Sequence, residues 1–374
     1  MSNFIISYIA GLTAIIAIDL LTAALPLRLF DVFQNNFDVG LIFGSFPVVA
    51  IFFRAKISNF FFRMPLKKGL LINLVLMAAS HAAYSFSVSR ASFIAARSLF
   101  GVGLCGFYIL LLEYINHEIE GSSHQKYYGI FSTLFIVSML FAPAMGVEIL
   151  RKYGFAALIL SSLFAYAVSA SAVFFIRDSR MKPPNFTSKK FYGYFISKRS
   201  HFVLLFFIIF AYSSAVVFLP RLAGAPLAEG GRALKDFAFA YSFISASTIL
   251  VRILAGSLFE KLSMKVCILI GCVVLGGAMV GLRFSETYVA LFSSAAFFGI
   301  GWAFFESNYI PSLLYGSADK SELITAYSLI FDSAWFLGPL VGGAISGFFG
   351  AQNLYLILPL CCIFAAVYFL KFNP

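Results

Sequence analysis

A few ionisable residues lie inside long apolar stretches of this sequence, where a charge is costly. Asp19 lies within Ile18-Asp19-Leu20-Leu21-Thr22, and Arg97 lies inside the fourth apolar stretch. A charged side chain at the centre of a lipid bilayer costs roughly 2.5–3.5 kcal/mol on insertion scales, even when it can reach toward water. That cost suggests a task, such as binding a proton, an ion or a charged solute.

Asp19 and Arg97 could meet if the first and fourth apolar stretches form neighbouring helices. At about 1.5 Å per residue, Asp19 lies roughly 13 Å and Arg97 roughly 7 Å below the outer ends of their helices. Burial favours the protonated carboxyl group, whereas an adjacent guanidinium favours the carboxylate. A pair that forms in one conformation and separates in another would bind and release a proton. We expect Asp19 to carry the proton with Arg97 as its partner; the alternative is a static buried ion pair.

The second half of the chain carries acids beside aromatic residues. Asp332 lies near the middle of its apolar stretch, which suits a cationic or hydroxyl-rich solute, and aromatic rings can stack on an organic ligand or a cation. Packing against lipid or a neighbouring helix is the alternative for each ring, because the chain holds 47 Phe. We expect His81 to pack between helices rather than relay protons. The predicted substrate cavity comprises Asp332, Glu306, Trp335, Tyr212 and Tyr108.

Three sequence patterns recur along the chain. The first is a loop, Gly256-x-x-x-Glu260-Lys261-x-Ser263-x-Lys265, whose first-half copy keeps Arg63, Lys67 and Lys68 but has Ser58, Phe62 and Pro65 at the other positions. Glu113 or Glu118 could supply the acid that Phe62 lacks. The second is Arg97-x-x-x-Gly101-x-Gly103. The third is Gly129-x8-Ser138-x3-Ala142-Pro143-x2-Gly146, repeated as Ala334-x3-Gly338-Pro339-x2-Gly342-Gly343.

Together these patterns resemble those of the major facilitator superfamily over essentially the whole chain. The resemblance implies that the loop motif holds a gate shut, that the motif arginine takes part in proton transfer, and that the proline-glycine motif favours exporters. Small residues in that last motif allow close helix contact, so a generic packing seam is the alternative interpretation. The first-half loop departs from the family pattern at Ser58, Phe62 and Pro65. The resemblance therefore does not extend the gate of paired charges to that loop.

Composition excludes a water-soluble fold. Of the 374 residues, 61% are hydrophobic and 11% charged, against roughly 25% charged in soluble domains. The runs are long and continuous, which indicates helices rather than a β-barrel. The net charge of +11 fits basic loops facing anionic lipid, so we expect no nucleic-acid partner. We find no phosphate loop, catalytic motif or metal-like cysteine spacing, and expect no enzyme activity, metal or cofactor.

The chain divides into two similar halves. Twelve apolar stretches are predicted to span the membrane, and shifting the second half by 198 positions places Arg252 on Arg54, Gly299 on Gly101 and Gly301 on Gly103. We therefore predict an all-α membrane protein with two pseudo-symmetric six-helix bundles, residues 1–176 and 201–374, joined by a basic cytoplasmic linker, residues 177–200. About 18 Lys and Arg on one side against about 8 on the other predict cytoplasmic termini.

These patterns lead to a functional hypothesis with two alternatives. We expect a monomeric carrier of the plasma membrane that works by alternating access, is coupled to protons and exports small organic or amphipathic solutes. A proton-coupled importer or facilitator of sugars, organic acids or amino acids is the first alternative. A non-transporting receptor or assembly factor with the same fold is the second.

Overall fold

The computed structural model describes residues 2–118, 133–178, 188–224, 234–254, 261–316 and 320–372. Fourteen α-helices and one 3₁₀ helix (Leu219–Gly224) cover most of these residues, which contain no strand. The α-helices are α1 (Ser2–Phe33), α2 (Asn36–Gly44), α3 (Phe46–Phe62), α4 (Leu66–Tyr84), α5 (Arg90–Glu118), α6 (Leu134–Met139), α7 (Ala142–Phe174), α8 (Ser188–Ser197), α9 (Arg199–Phe218), α10 (Leu234–Leu254), α11 (Met264–Arg283), α12 (Tyr288–Leu314), α13 (Lys320–Phe349) and α14 (Ala351–Phe372). The prediction of an all-α membrane protein is confirmed.

Ten helical segments of the described chain are long and apolar enough to cross a membrane. Two differences separate this number from the twelve predicted stretches. The helix α4 is less apolar because it carries Lys67, Lys68 and His81. The helix α7 joins the end of the fifth predicted span to the sixth across a kink at Gly154, where φ is 82°. A glycine tolerates this left-handed conformation without a Cβ clash.

The second predicted span is a broken helix. The helices α2 and α3 are separated at Ser45, and Pro47 lies in the first turn of α3. Proline has no N–H to donate to the preceding turn, so it starts a helix readily and interrupts one that would continue through it. The break allows the two parts of this span to pack on different neighbours.

The described chain forms two compact units. Unit 1 comprises residues 1–28 and 45–185, and unit 2 comprises residues 29–44 and 186–374. The segment 29–44, which precedes the break at Ser45, therefore groups with the second half of the chain. Its helix α2 packs along α13, and Asn36 Nδ2 donates a hydrogen bond to Ser346 Oγ at 2.8 Å.

The internal repeat appears in equivalent backbone contacts within each unit. A Cβ on Gly101 would overlap the carbonyl oxygen of Phe46, and a Cβ on Gly299 would overlap that of Ile244. Both members of the second pair lie 198 positions after those of the first. Gly103 likewise lies against Asn73 and Met77, and Gly301 lies against Gly271 and Leu275, again at an offset of 198. The glycines let two helices approach to backbone contact at the same place in each half.

The proline-glycine motifs also lie in equivalent seams. In unit 1, Pro143 is buried and Gly146 of α7 lies against the carbonyl of Leu20 in α1. In unit 2, Gly338 and Gly342 of α13 lie against α9, where Ser214 Oγ donates to the Gly338 carbonyl at 2.6 Å. Pro339 and Gly343 face α2 instead.

Candidate functional site

Asp19 is enclosed inside unit 1. Its side chain is 6% exposed, and the Thr22 hydroxyl one turn later on α1 donates to Oδ1 at 3.1 Å. The Ser138 hydroxyl of α6 also interacts with this carboxyl group. Oδ2 is fully buried and accepts no hydrogen bond from any residue that the structure describes. Among the residues that the structure describes, the groups that act on this carboxyl are therefore the hydroxyls of Thr22 and Ser138, and not a cationic side chain.

Arg97 is held by aromatic rings on α3 and α5. It is 5% exposed, and its guanidinium carbon lies 4.8 Å from the ring centroid of Phe46 and 5.1 Å from that of Phe100. Cations lie favourably over aromatic faces, and guanidinium groups do so most often. Asp19 and Arg97 make no ion pair in the described residues of this conformation.

A buried hydrogen-bond network lies beside Arg97 and joins α1, α4 and α7. Ser162 Oγ donates to the Ala17 carbonyl at 3.1 Å and lies 2.6 Å from His81 Nδ1. Because the single Ser162 hydrogen is directed at that carbonyl, His81 Nδ1 must carry the proton that joins it to Ser162. His81 Nε2 is then an acceptor, and the Tyr166 hydroxyl lies 3.4 Å from it.

This network agrees with His81 as a packing residue whose polar atoms are paired. The imidazole stacks on Phe100, the ring that also contacts Arg97, with 5.5 Å between ring centroids. Sequence reasoning missed Ser162 and Tyr166, because serine and tyrosine inside an apolar helix give no signal until their neighbours are known.

Unit 2 brings together two of the predicted cavity aromatics, Tyr212 and Trp335, with a third ring, Trp302. Tyr212 of α9 stacks on Trp302 of α12 with ring centroids 4.1 Å apart, and Trp335 of α13 meets Tyr212 edge-on at 6.3 Å. Asp332 precedes Trp335 by three residues, so both lie on one side of α13. Tyr108 lies on α5 in unit 1, half-buried against the core of that unit.

Glu306 has a partner that the sequence did not indicate. It forms an ion pair with Arg252 of α10, and the two side chains are 30% and 18% exposed, respectively. The role of Glu306 in a substrate cavity stays a prediction, and a ligand there would meet a carboxylate that is already paired with Arg252. The residues are 54 positions apart, so no local spacing could have joined them.

Comparison with known proteins identifies the family. The family model described as Major Facilitator Superfamily matches residues 7–331. The chain belongs to the major facilitator superfamily. None of the curated proteins matches the chain.

Solved structures of major facilitator transporters share this fold. The nucleoside transporter NupG has a TM-score of 0.78 at 14% identity over 99% of each chain. A bacterial homologue of the human lysosomal transporter Spinster has a TM-score of 0.79 at 11% identity, covering 99% of this chain and 96% of that one. The human organic anion transporter MFSD10 has a TM-score of 0.73 at 14% identity over 98% of each chain. The TM-scores show that the chain shares the fold of these proteins, and at identities of 11–14% the likeness extends to the fold alone.

The two loop motifs of this major facilitator chain differ in structure. In the first half, Arg63 is exposed, Lys67 Nζ donates to the Phe174 carbonyl at 2.9 Å, and the Lys67 backbone N–H donates to Asp178 Oδ1 at 3.2 Å. Asp178 is thus an acidic partner of this loop. The side chain of Glu113, proposed for that role, lies outside the described residues.

The second-half motif caps a helix. The Ser263 hydroxyl accepts a hydrogen bond from the Val266 backbone N–H at 3.3 Å and forms the N-cap of α11, an arrangement that satisfies one free donor of the first turn. Lys261 is exposed and Lys265 is half-buried. Gly256 and Glu260 lie outside the described residues, so their gating role stays a prediction.

Proposed function

We propose that the protein is a proton-coupled secondary transporter that exports small organic or amphipathic solutes by alternating access. The burial of Asp19 with an unbonded carboxylate oxygen is the observation that carries this proposal. The proposal includes the two six-helix halves, residues 1–176 and 201–374, the 177–200 linker, cytoplasmic termini, a plasma-membrane location and a monomeric state.

The environment of Asp19 favours a proton on the carboxyl group. Burying a carboxylate without a counter-ion costs several kcal/mol, and a protonated carboxyl group avoids that cost. Thr22 provides one hydrogen bond, which is less than a buried carboxylate requires. In this conformation Asp19 is therefore suited to hold a proton in neutral form.

Release of the proton requires an environment that stabilises the carboxylate. Arg97 is the candidate that the sequence indicates, and its guanidinium lies over the rings of Phe46 and Phe100 in the same unit as Asp19. A conformational change that brought the guanidinium within hydrogen-bond reach of Asp19 would favour the carboxylate. Binding in one conformation and release in the other would couple the proton to transport.

The contact between α2 and α13 is suited to open and close during that cycle. These helices touch through the backbone at Gly40 and Gly343, and Asn36 bonds Ser346. With both termini cytoplasmic, these ends of α2 and α13 lie on the outer side of the membrane. We propose that their separation opens the carrier outward.

Two alternatives use the same fold. In a proton-coupled importer, Asp19 would bind its proton on the opposite side of the membrane. In a facilitator, proton binding at Asp19 would not be coupled to movement of the solute. The close packing at Gly146 and Gly338 supports the exporter only through the motif resemblance. In a non-transporting receptor or assembly factor, the halves would not alternate, and the degraded first-half loop is the feature that favours this role.

A vesicle assay tests the proposal. The purified full chain is reconstituted with an internal pH-sensitive dye, and a panel of organic cations, nucleosides, sugars, amino acids and organic acids is added under a proton gradient of either direction. We expect at least one solute to drive proton flux, and Asp19→Asn to abolish that flux. Asp31→Asn, on the exposed end of the same helix, is the matched control and should behave as wild type.

Each other outcome rejects part of the proposal. Unchanged solute-driven proton flux in Asp19→Asn would overturn the role of Asp19. Solute movement without proton flux would identify a facilitator, and coupling that drives only uptake would identify an importer. A wild-type protein with no flux for any solute would favour the non-transporting alternative.

A further inference from the structure

A ladder of four aromatic rings runs along the seam between α9 and α14 in unit 2. Phe207 of α9 meets Phe364 of α14 edge-on, with ring centroids 4.8 Å apart. On α14, Tyr368 follows Phe364 at 6.0 Å, and Phe372 follows Tyr368 at 4.6 Å. Residues four positions apart lie on one side of a helix. The aromatic ladder therefore leads from the seam to the end of α14.

The aromatic ladder lies on a surface that faces lipid. Phe364 is 49% exposed and Phe372 is 38% exposed, whereas Phe207 and Tyr368 are half-buried. Both helices are long and apolar enough to cross a membrane, so their exposed side chains contact acyl chains there. Exposed aliphatic residues flank the ladder on α14, namely Ile363, Val367 and Leu370. This surface suits an acyl chain that lies along the helix.

Two basic side chains meet at the last ring of the ladder. The guanidinium carbon of Arg199, the first residue of α9, lies 4.8 Å from the ring centroid of Phe372, and Lys371 Nζ lies 5.5 Å from the same centroid. Both side chains are exposed, and neither forms an ion pair with an acid in the part of the chain that the structure describes. Like charges held near each other repel. An anion in contact with both would remove that repulsion.

The short helix α8 extends this surface beside the same end of α9. The Phe195 ring of α8 stacks on Phe202 of α9 with centroids 6.0 Å apart, and Ile196 is 69% exposed. The same helix contains Lys189 and Lys190. Apolar and basic side chains on one short helix are typical of a segment at the surface of a membrane with anionic lipid. The region around the end of the ladder is thus both apolar and basic.

We propose that Arg199, Lys371 and the aromatic ladder bind one anionic phospholipid of the leaflet at this end of α14. The phosphate contacts the two basic groups, since a guanidinium matches phosphate with two parallel hydrogen bonds and an ammonium adds a point charge. One acyl chain lies along the ladder. This site is separate from Asp19 and from the solute, so the assignment goes beyond the proposed transport function.

Charge and shape together select the ligand. A zwitterionic headgroup such as phosphocholine brings its own ammonium group, which the two basic side chains repel. A free phosphate ion satisfies the charges but leaves the aromatic ladder without a partner from the same molecule. An anionic lipid meets both requirements, because its charge lies at the membrane surface and its chains extend toward the bilayer centre.

Native mass spectrometry of the full chain tests this assignment. The protein is freed of lipid in maltoside micelles and mixed with equal amounts of dioleoyl phosphatidylglycerol and dioleoyl phosphatidylcholine, which have the same acyl chains. We expect the first retained lipid to be phosphatidylglycerol with about fivefold preference, because basic residues at a membrane surface attract anionic lipid. A large excess of inorganic phosphate should not displace it.

Charge variants test the headgroup contact. Arg199→Gln combined with Lys371→Gln should abolish the preference, whereas the exchanged pair Arg199→Lys with Lys371→Arg should keep it. Lys56→Gln is the matched control, because Lys56 is also exposed and its Nζ lies 5.7 Å from the ring centroid of Phe53, in unit 1. This control should retain the wild-type preference. Thermal unfolding of each variant shows that it is folded.

Ring variants test the acyl-chain contact. Tyr368→Leu removes one ring of the ladder and should weaken retention of both lipids while the preference for phosphatidylglycerol remains. Phe52→Leu, at a 73% exposed position of α3, should change neither quantity. Unchanged retention in Tyr368→Leu would overturn the role of the ladder.

Three other outcomes would overturn the lipid site itself. These are equal retention of the two lipids by the wild type, a full preference in the double glutamine variant, and displacement of the lipid by inorganic phosphate. None of these measurements requires a transported solute. A failure of solute-driven proton flux would therefore reject the transport proposal and leave the lipid site standing.

Discussion

Gly40 of α2 lies against the backbone carbonyl of Pro339 on α13, so closely that a Cβ at position 40 would overlap the oxygen. A backbone carbonyl in a helix cannot rotate away as a flexible side chain can. A side chain larger than hydrogen at position 40 can therefore be accommodated only if one of the two helices moves.

We predict that Gly40→Val separates α2 from α13. Cysteines introduced as Asn36→Cys and Ser346→Cys, in a background in which the five native cysteines are replaced, should form a disulfide readily because the native side chains are hydrogen-bonded. Gly40→Val should lower the cross-linking yield about fivefold, since overpacking costs about 1–3 kcal/mol. Gly347→Val is the control, because no atom lies within 4 Å of a Cβ there. An equal loss in both variants would contradict the prediction.

Gly101 and Gly299 should be equally intolerant of a methyl group. Each lies against a backbone carbonyl at equivalent places in the two units. We expect Gly101→Ala and Gly299→Ala to lower the free energy of unfolding by about 1–3 kcal/mol each. Gly277→Ala, in α11 with open space around it, should instead be neutral or stabilising by about 0.5–1 kcal/mol, because alanine is the better helix former. Thermal unfolding in detergent measures all three, and a stable Gly101→Ala or Gly299→Ala protein would disprove the tight-contact explanation.

The Arg252–Glu306 pair should show energetic coupling. Both side chains are less than one-third exposed, so loss of one partner leaves a partly buried charge. We expect Glu306→Gln and Arg252→Leu to destabilise by about 1–3 kcal/mol each, and the double variant by clearly less than their sum. Glu148→Gln removes an exposed pairing with Arg151 and Lys152 and should change stability far less, because solvent screens exposed ion pairs. Simple additivity in the double variant would rule out a direct interaction.

Ser162 should matter more to stability than a serine on the exposed face of the same helix. Ser162→Ala removes the acceptor for His81 Nδ1 and the donor to the Ala17 carbonyl. Leaving a buried donor unsatisfied costs about 1–3 kcal/mol. Ser171→Ala, which loses one exposed bond to the Ala167 carbonyl, should cost less than about 0.5 kcal/mol. Similar unfolding temperatures for the two variants would argue against the buried network.

The sequence by itself determined the helical class, the repeat and the charged residues that lie within apolar stretches. Lipid offers no hydrogen-bond partner to the backbone, so long apolar runs must form helices that satisfy their own amide groups. The offset of 198 positions located Gly101, Gly103, Gly299 and Gly301 in advance, because close helix packing requires a small residue wherever two backbones meet. Asp19 and Arg97 were recognisable because a charged side chain is costly within an apolar stretch.

Only the tertiary structure decided which partners these residues have. Glu306 meets Arg252, Asp178 meets Lys67, and segment 29–44 joins unit 2 rather than the rest of its own half. The contacts of Tyr212 with Trp302 and Trp335 likewise need three helices at set distances. Helical periodicity fixes which side of one helix a residue occupies, but it carries no information on which distant helix lies opposite. That choice depends on how all the helices fill space together, and it becomes visible only when they are packed.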